Sequence, residues 1–382
     1  MTTRSPTSSC RCVCRRRSAR EHPLRLLWLE VRDFRNHAET RLELPSGIVA
    51  LVGPNAQGKT NLLEAAHYLL TLRSPRVSAD QPLVRSGANS AFLRGEVETA
   101  GGRVLVEVEV RSSGANRIQV NRSGVRRKRD LRQRVRSVMF IPEDLDVIQG
   151  QPDDRRRFMD EATQAMWPRT EEPRVAYDKA LRQRNRLLKE NEGPDAPVDL
   201  DAWDAELASH GAPVTSARRR AIAALGPRAG DEFERVSGER LRVEYRPSVT
   251  AEEDVEAAML RQLADRRADE LVRRTTLVGP HRDELDIAVG EMTARRFASH
   301  GESWAGALCL RLGVWGGVSA EVEEPPVLIL DDPFSGLDPQ RRKRLAEGFA
   351  SRGQVLISVP DEAQVPPAAD VWDVREGHAA PR

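Results

Sequence analysis

Residues 53–60 read Gly-Pro-Asn-Ala-Gln-Gly-Lys-Thr, a run whose two glycines, lysine and hydroxyl are spaced to hold a polyphosphate. The chemistry follows from the residue types. Gly53 and Gly58 let the backbone turn tightly, so that successive N–H groups of the turn and of the first helical residues converge on one phosphate. Lys59 adds a fixed positive charge for the β and γ oxygens, and Thr60 offers a hydroxyl to Mg²⁺. Gly53, Pro54, Asn55, Ala56, Gln57, Gly58, Lys59, Thr60 and Asn61 therefore form the candidate nucleotide-binding segment, with ATP as the expected ligand. Its complement is Val327-Leu328-Ile329-Leu330-Asp331-Asp332, an apolar run ending in two carboxylates. Asp331 is expected to hold Mg²⁺ through water, opposite Thr60. Asp332 stands where a catalytic carboxylate polarises the attacking water, with Lys59 as its catalytic companion. Aspartate reaches less far than glutamate, which predicts slow hydrolysis.

These groups work only if particular elements position them. Gly47 to Val52 is a short apolar run, and Leu62, Leu63, Ala66, Leu69 and Leu70 recur at helical spacing, so the glycine-rich turn is expected between a strand and a helix. Val327 to Leu330 reads as a buried parallel strand that delivers its carboxylates at the end where ligands of open α/β sheets collect. Alternating runs predict further strands at Leu27 to Val31, Thr40 to Leu44, Phe92 to Val97, Val104 to Val110 and Arg117 to Val120, with Asn121 to Gly124 as a turn. From about Asp153 to Arg274 the pattern changes to long charged helices, interrupted by a loop at Gly193 to Pro197. Pro213 is expected to kink or split the second of them. Strand patterns return after Thr275. The expected organisation is a tail over 1–25, a head built from 26–150 and 275–382, and a helical lobe over 151–274.

Ser335-Gly336-Leu337-Asp338 follows the two carboxylates and resembles the D-loop of ABC-type ATPases. That class closes each ATP between the P-loop of one subunit and a signature helix of another. The matching signature here is Ser299-His300-Gly301-Glu302, ahead of the apolar pattern Ala307, Leu308, Leu310 and Leu312. Ser299, Gly301, Glu302, Ser335 and Asp338 are thus the candidate residues facing a second copy. The same residues also read as an ordinary capped core helix. The fold class is α/β, an ABC-type P-loop ATPase head with an inserted helical lobe.

Composition sets limits. Across 382 residues, Lys and Arg number 60 and Asp and Glu 58, so affinity for nucleic acid must come from local patches. No run reaches the roughly 18 apolar residues of a membrane span, and the first 25 residues lack the apolar centre of a secretory signal. A cytoplasmic protein with no membrane partner is expected. Cys10, Cys12 and Cys14 crowd one tail and Cys309 stands alone, which is no disulfide framework.

Which ATPase this is depends on the interval between Lys59 and Asp331. It holds helices of ordinary length and no sustained heptad arm, which argues against a chromosome-maintenance protein, while its basic insert argues against a transporter motor. Phe140-Ile141-Pro142-Glu143-Asp144-Leu145 with Gly150, Pro152 and Arg155 to Asp160, then Leu277 to Leu285, then Asp331 to Leu345, resemble blocks of the RecF family over nearly all of Leu27 to Val374. The resemblance implies a weak ATPase used as a switch: ATP assembles a homodimer on double-stranded, gapped or junction DNA, and hydrolysis resets it. It further implies recombination mediators of the RecR/RecO type as partners. The chain departs from the family at its signature, where His300 and Glu302 to Trp304 replace the usual residues, and Ser358-Val359 carries no histidine switch. Glu143 is the expected Q-loop equivalent.

Sequence-independent DNA binding needs several phosphate contacts. Candidates are Arg126, Arg127, Lys128 and Arg129 with Arg132, Arg134 and Arg136, then Arg219 and Arg220 beside Arg218, with further pairs at Arg266-Arg267 and Arg273-Arg274. Aromatic residues make up only 4% of the chain, so stacking platforms for single strands are scarce and duplex is the expected substrate. His281, Asp283 and Glu284 follow Gly279-Pro280 and are read as a structural turn rather than a metal or acid/base site.

Overall fold

The computed structural model describes residues 24–125, 127–191, 199–250, 253–322 and 324–382. The cysteine-bearing tail, Arg126 and the Gly193 to Pro197 loop lie outside the described residues. The N-terminal strands Arg25–Phe34 and His37–Glu43 pair with Ser90–Thr99, Gly102–Arg111, Arg117–Val120 and Ser123–Gly124 in a six-stranded antiparallel sheet. Its inner face carries Leu26, Leu29, Val31, Leu93, Val97, Val106 and Val108, all buried. Its outer face is charged and cross-linked by ion pairs such as Arg94–Glu107 and Arg41–Glu30. Asn121 and Arg122, at φ 49° and 65°, make a two-residue turn between the last two strands, where positive φ at both positions matches the strand twist.

The second sheet draws on both ends of the chain. Its order is His378–Pro381, Asp370–Arg375, Ile48–Val52, Val355–Val359, Val327–Asp331, Ser137–Phe140, and every pairing is parallel except the terminal hairpin. Its central strands are buried on both faces, which is why they read as continuous apolar runs. One face, with Val49, Leu51, Val327, Ile329 and Leu356, packs with helix Lys59–Thr71 and the antiparallel sheet. The opposite face, with Ala50, Leu328, Leu330, Val355 and Ile357, packs with helix His300–Val322.

The interval 151–274, expected as one helical lobe, is divided between two cores. Phe158 and Met159 of helix Pro152–Met166, and Leu225 and Phe233 of helix Leu200–Ser237, join the core under the parallel sheet. Tyr177, Ala180, Leu207, Val214, Met259 and Leu263 form a separate core among helices Glu171–Glu190, Leu200–Ser237 and Val255–Arg273. Strand Leu241–Arg246 also lies in the interval and pairs with Glu284–Val289. Pro213 does not split the second long helix, which runs for 38 residues through both Pro213 and Pro227. A proline inside a helix costs roughly 3 kcal/mol. The buried face on either side, including Leu207, Val214, Ala221 and Leu225, outweighs that cost through packing. Arg184, fully buried, bridges the three lobe helices and the loop after them, donating to Asp204, Glu270 and Thr276 at 2.6, 2.6 and 2.9 Å.

Candidate nucleotide-binding site

The turn after strand Ile48–Val52 has the geometry that its glycines predict. Gly53 sits at φ 159° with Val374 O where a Cβ would be, and Gly58 at φ 110° precedes helix Lys59–Thr71. Lys59 folds back over the loop, its Nζ donating to Gly53 O at 2.6 Å and Pro54 O at 2.8 Å. Burial lowers its pKa. The Thr60 hydroxyl lies 2.9 and 2.8 Å from the two oxygens of Asp331, although these residues are separated by most of the chain. The sheet order explains the meeting: strands Ile48–Val52 and Val327–Asp331 flank Val355–Val359, and Asp331 is in register with Ser358.

Ser358 joins the carboxylates. Its Oγ donates to Asp331 at 2.6 Å and accepts from the Asp332 backbone N–H at 2.9 Å. Burial raises the pKa of Asp331, against the hydrogen bonds from Ser358 and Thr60. Burial, then the neighbouring Asp331 charge, raises that of Asp332 to about 6. Asp332 also holds φ 45°, a strained left-handed conformation for a residue with a Cβ.

These groups line one cavity of about 490 Å³, bounded by Asn36, Asn55, Ala56, Gly58, Lys59, Thr60, Asn61, Arg76, Pro142, Asp331, Asp332, Ser358 and Pro360. A hydroxyl and a carboxylate side by side are a hard-oxygen donor pair, which fits Mg²⁺. The lysine and loop N–H groups fit the phosphates. Of the candidate segment, Asn55, Ala56, Gly58, Lys59, Thr60 and Asn61 line the cavity with Asp331 and Asp332, whereas Gly53, Pro54 and Gln57 do not, and five further residues that sequence reasoning did not single out for this role join them. Asn36 accepts from Asn61 Nδ2 at 2.7 Å, and Arg76 donates to Asn61 Oδ1 at 3.0 Å and pairs with Glu64 at 3.3 Å. Pro142, Ser358 and Pro360 complete the set. The fully buried Glu64 also binds Arg35 through two bonds, at 2.9 and 2.8 Å.

Ser299, Gly301, Glu302, Ser335 and Asp338 do not line this cavity; they gather elsewhere. Ser299 Oγ accepts from the Glu302 N–H at 3.3 Å, and the Glu302 carboxylate accepts from the Ser299 N–H at 2.7 Å, a reciprocal capping box. A Cβ on Gly301 would lie 3.1 Å from Gly336 O, so this helix start abuts the Ser335 to Asp338 loop directly. Asp338 caps helix Pro339–Glu347 by accepting from Gln340 and Arg341 at 2.9 and 3.0 Å. Glu143 is exposed beside Pro142, whereas its neighbour Asp144 is buried and held by Arg311 of helix His300–Val322 at 2.9 and 2.6 Å.

The basic clusters are partly structural. Arg218 is buried between Asp160 and Asp283, at 2.7 and 2.9 Å, and Arg132 pairs with Glu171. Arg129 pairs with Glu172, Arg220 pairs with Glu321 over the Trp167 ring, and Arg219 is half-buried. Arg266 and Arg267 pair with Asp269 and with Asp201 and Asp204. Arg127, Lys128 and Arg134 are exposed. The Gly279–Pro280 bend is a structural turn. His281 lies 2.6 Å from Tyr177 OH, Asp283 accepts from the Ser248 N–H at 2.8 Å, and Glu284 binds Arg155 at 2.6 Å.

An antiparallel sheet beside a parallel sheet that carries the Gly53–Thr60 loop, with helix His300–Val322 packed on the parallel sheet's opposite face, has the fold of an ABC-type ATPase head of the SMC class. The family model for the RecF/RecN/SMC N-terminal domain matches residues 25–379. An Smc head domain from Pyrococcus furiosus shares the fold, at TM-score 0.56 and 16% identity over 94% of this chain and 96% of that one. Within the class the chain belongs to the RecF family. It is 45% identical over 351 residues to the DNA replication and repair protein RecF of Streptomyces avermitilis, covering 88% of this chain and 94% of that protein. The RecF of Kineococcus radiotolerans is 41% identical over 366 residues, 89% of this chain and 94% of its own length. The solved structure of the recombination mediator protein RecF with ATP, in the RecFOR pathway, superposes at TM-score 0.85 and 28% identity over 94% of this chain and 98% of that one. No helix among the described residues is long and apolar enough to cross a membrane.

Proposed function

We propose that this protein is an ATP-gated DNA-binding switch of replication and recombinational repair. The observation that carries the reading is the division of the site. Lys59, Thr60, Asp331 and Asp332 share one cavity, while Ser299, Gly301 and the D-loop form a separate surface of the same head. A site so divided is completed by a second copy, and ATP would join two heads across it. The likeness to RecF relatives supports ATP as the nucleotide and DNA as the substrate.

Mg²⁺, when bound, would neutralise charge on the β and γ oxygens. Thr60 and Asp331 would hold it, and Ser358 would keep the Asp331 carboxylate turned toward it. Lys59 would leave its carbonyl partners for the phosphates. Asp332, ionised at neutral pH with a proton affinity raised by burial, would accept a proton from the attacking water. Its short reach and strained backbone favour slow hydrolysis, so the bound state persists long enough to act as a signal. The exposed Arg127, Lys128 and Arg134 are the residues best placed among the clusters to meet duplex phosphates, with recombination mediators of the RecR/RecO type as protein partners in the cytoplasm.

Binding to gapped duplex DNA with and without ATP tests this. ATP is expected to strengthen binding in the wild type, Lys59→Ala to abolish the ATP effect, and Asp332→Asn to prolong it. Rapid hydrolysis with no ATP effect on DNA affinity would sink the reading.

A further inference from the structure

The P-loop is braced by a residue that does not line its cavity. His37, fully buried in the turn that opens strand His37–Glu43, places Nε2 3.0 Å from Gly58 O and Nδ1 2.8 Å from Gly377 O. The Thr40 hydroxyl lies 3.1 Å from both Nδ1 and Gly377 O. Gly58 leads into the P-loop helix, and Gly377 belongs to the turn between the last two strands of the chain.

That C-terminal turn grips the P-loop directly as well. The Gly377 N–H donates to Gln57 O at 3.1 Å, and the Glu376 N–H donates to Gln57 Oε1 at 2.7 Å. The junction is tight: a Cβ on Gly58 would lie 2.6 Å from His37 Nε2, and one on Gly377 would lie 2.8 Å from Asn36 O. Glu376 and Gly377 both have positive φ, at 49° and 77°, so the turn is held in a conformation that few sequences adopt.

Burial lowers the pKa of His37. A ring with one proton donates to only one of the two carbonyls, and the Thr40 hydroxyl is placed to serve the other. Three segments from opposite ends of the chain, residues 36–40, 57–58 and 376–377, are thereby joined at one imidazole.

We propose that His37 is a positioning residue for the nucleotide site, fixing the P-loop by joining Gly58 to the Glu376–Gly377 turn, so that both chain ends set the phosphate cradle. This rests on the reading of the cavity as an ATP site. Phosphates drawing on the loop N–H groups would stiffen Gln57 and Gly58, and the clasp would pass that stiffening to the C-terminal hairpin.

The test uses the full-length protein and ATPγS. Affinity is measured for the wild type and His37→Phe, a substitution that keeps a ring but removes both ring nitrogens, and hydrogen exchange of the 370–382 peptide is followed with and without nucleotide. In the wild type the peptide is expected to exchange more slowly when ATPγS is bound. In His37→Phe the affinity is expected to fall about tenfold, roughly the worth of one hydrogen bond at a buried carbonyl, and the slowing to disappear. Thr40→Val, a milder change, is expected to reduce the slowing in part and supplies the answer if His37→Phe does not fold. A wild type that binds no ATPγS would refute the ATP reading itself. A wild type that binds it with no change in the 370–382 peptide, or a His37→Phe protein that keeps both affinity and slowing, would overturn the role of His37 and leave the ATP reading intact.

Discussion

Arg311 sits in the middle of helix His300–Val322 with its guanidinium buried against Phe158, donating to Asp144 at 2.9 and 2.6 Å and to Glu161 at 2.7 Å. Asp144 is the more buried of the two acids and follows Pro142 at the cavity wall, so this pair ties that helix to the candidate nucleotide site. Removing the guanidinium by Arg311→Ala strands a buried carboxylate, which costs about 3 to 5 kcal/mol. The sign with pH is fixed by Asp144, whose pKa burial raises even with Arg311 present. Without Arg311 the pKa rises further above its unfolded value. The variant's native state therefore takes up a proton that the unfolded chain does not, and the penalty is full at high pH and shrinks as pH falls. Urea denaturation at pH 8 and pH 5 measures this, with Asp144→Asn added on the Arg311→Ala background expected to recover part of the loss at pH 8. A loss under 1 kcal/mol at pH 8, or one equal at both pH values, would refute the reasoning.

Other outcomes follow from the same geometry. Ser358→Ala removes a donor from Asp331 and an acceptor from the Asp332 N–H, and is expected to cost about 1 to 2 kcal/mol in urea and to weaken ATP binding more with Mg²⁺ than without it. Ser299→Ala breaks one leg of the capping box and should lower unfolding free energy by about 1 kcal/mol, read by thermal denaturation. Arg218→Ala is expected to destabilise the fold by about 3 kcal/mol or more, since it strands Asp283 and Asp160. Arg127→Ala with Lys128→Ala should leave unfolding unchanged and flatten the salt dependence of DNA binding by about one to two units of log–log slope.

The candidate nucleotide site was legible because its chemistry restricts residue types at fixed spacing. Only glycine fits the backbone beside Val374 O at position 53, and only an apolar run can form a strand buried on both faces, so Gly53 to Thr60 and Val327 to Asp332 announce themselves. Ser358 was invisible in that role, because its meeting with Asp331 depends on which strand lies between two others. Asn36 lies between the strands expected at Leu27 to Val31 and Thr40 to Leu44, and Arg76 lies in an irregular segment with no periodicity. The arginine clusters misled in part, since charge alone does not distinguish a solvated Arg127 from an Arg218 buried between two aspartates. Pro213 misled because packing outweighed local propensity.

The most direct measurement is the mass of the protein in solution, with and without ATP, for the wild type and Lys59→Ala, by sedimentation or single-particle mass measurement on gapped DNA. A wild type that doubles in mass when ATP is added, with Lys59→Ala remaining single, is the expected result. A wild type that stays single at saturating ATP while binding DNA equally well would contradict a site completed by a second copy.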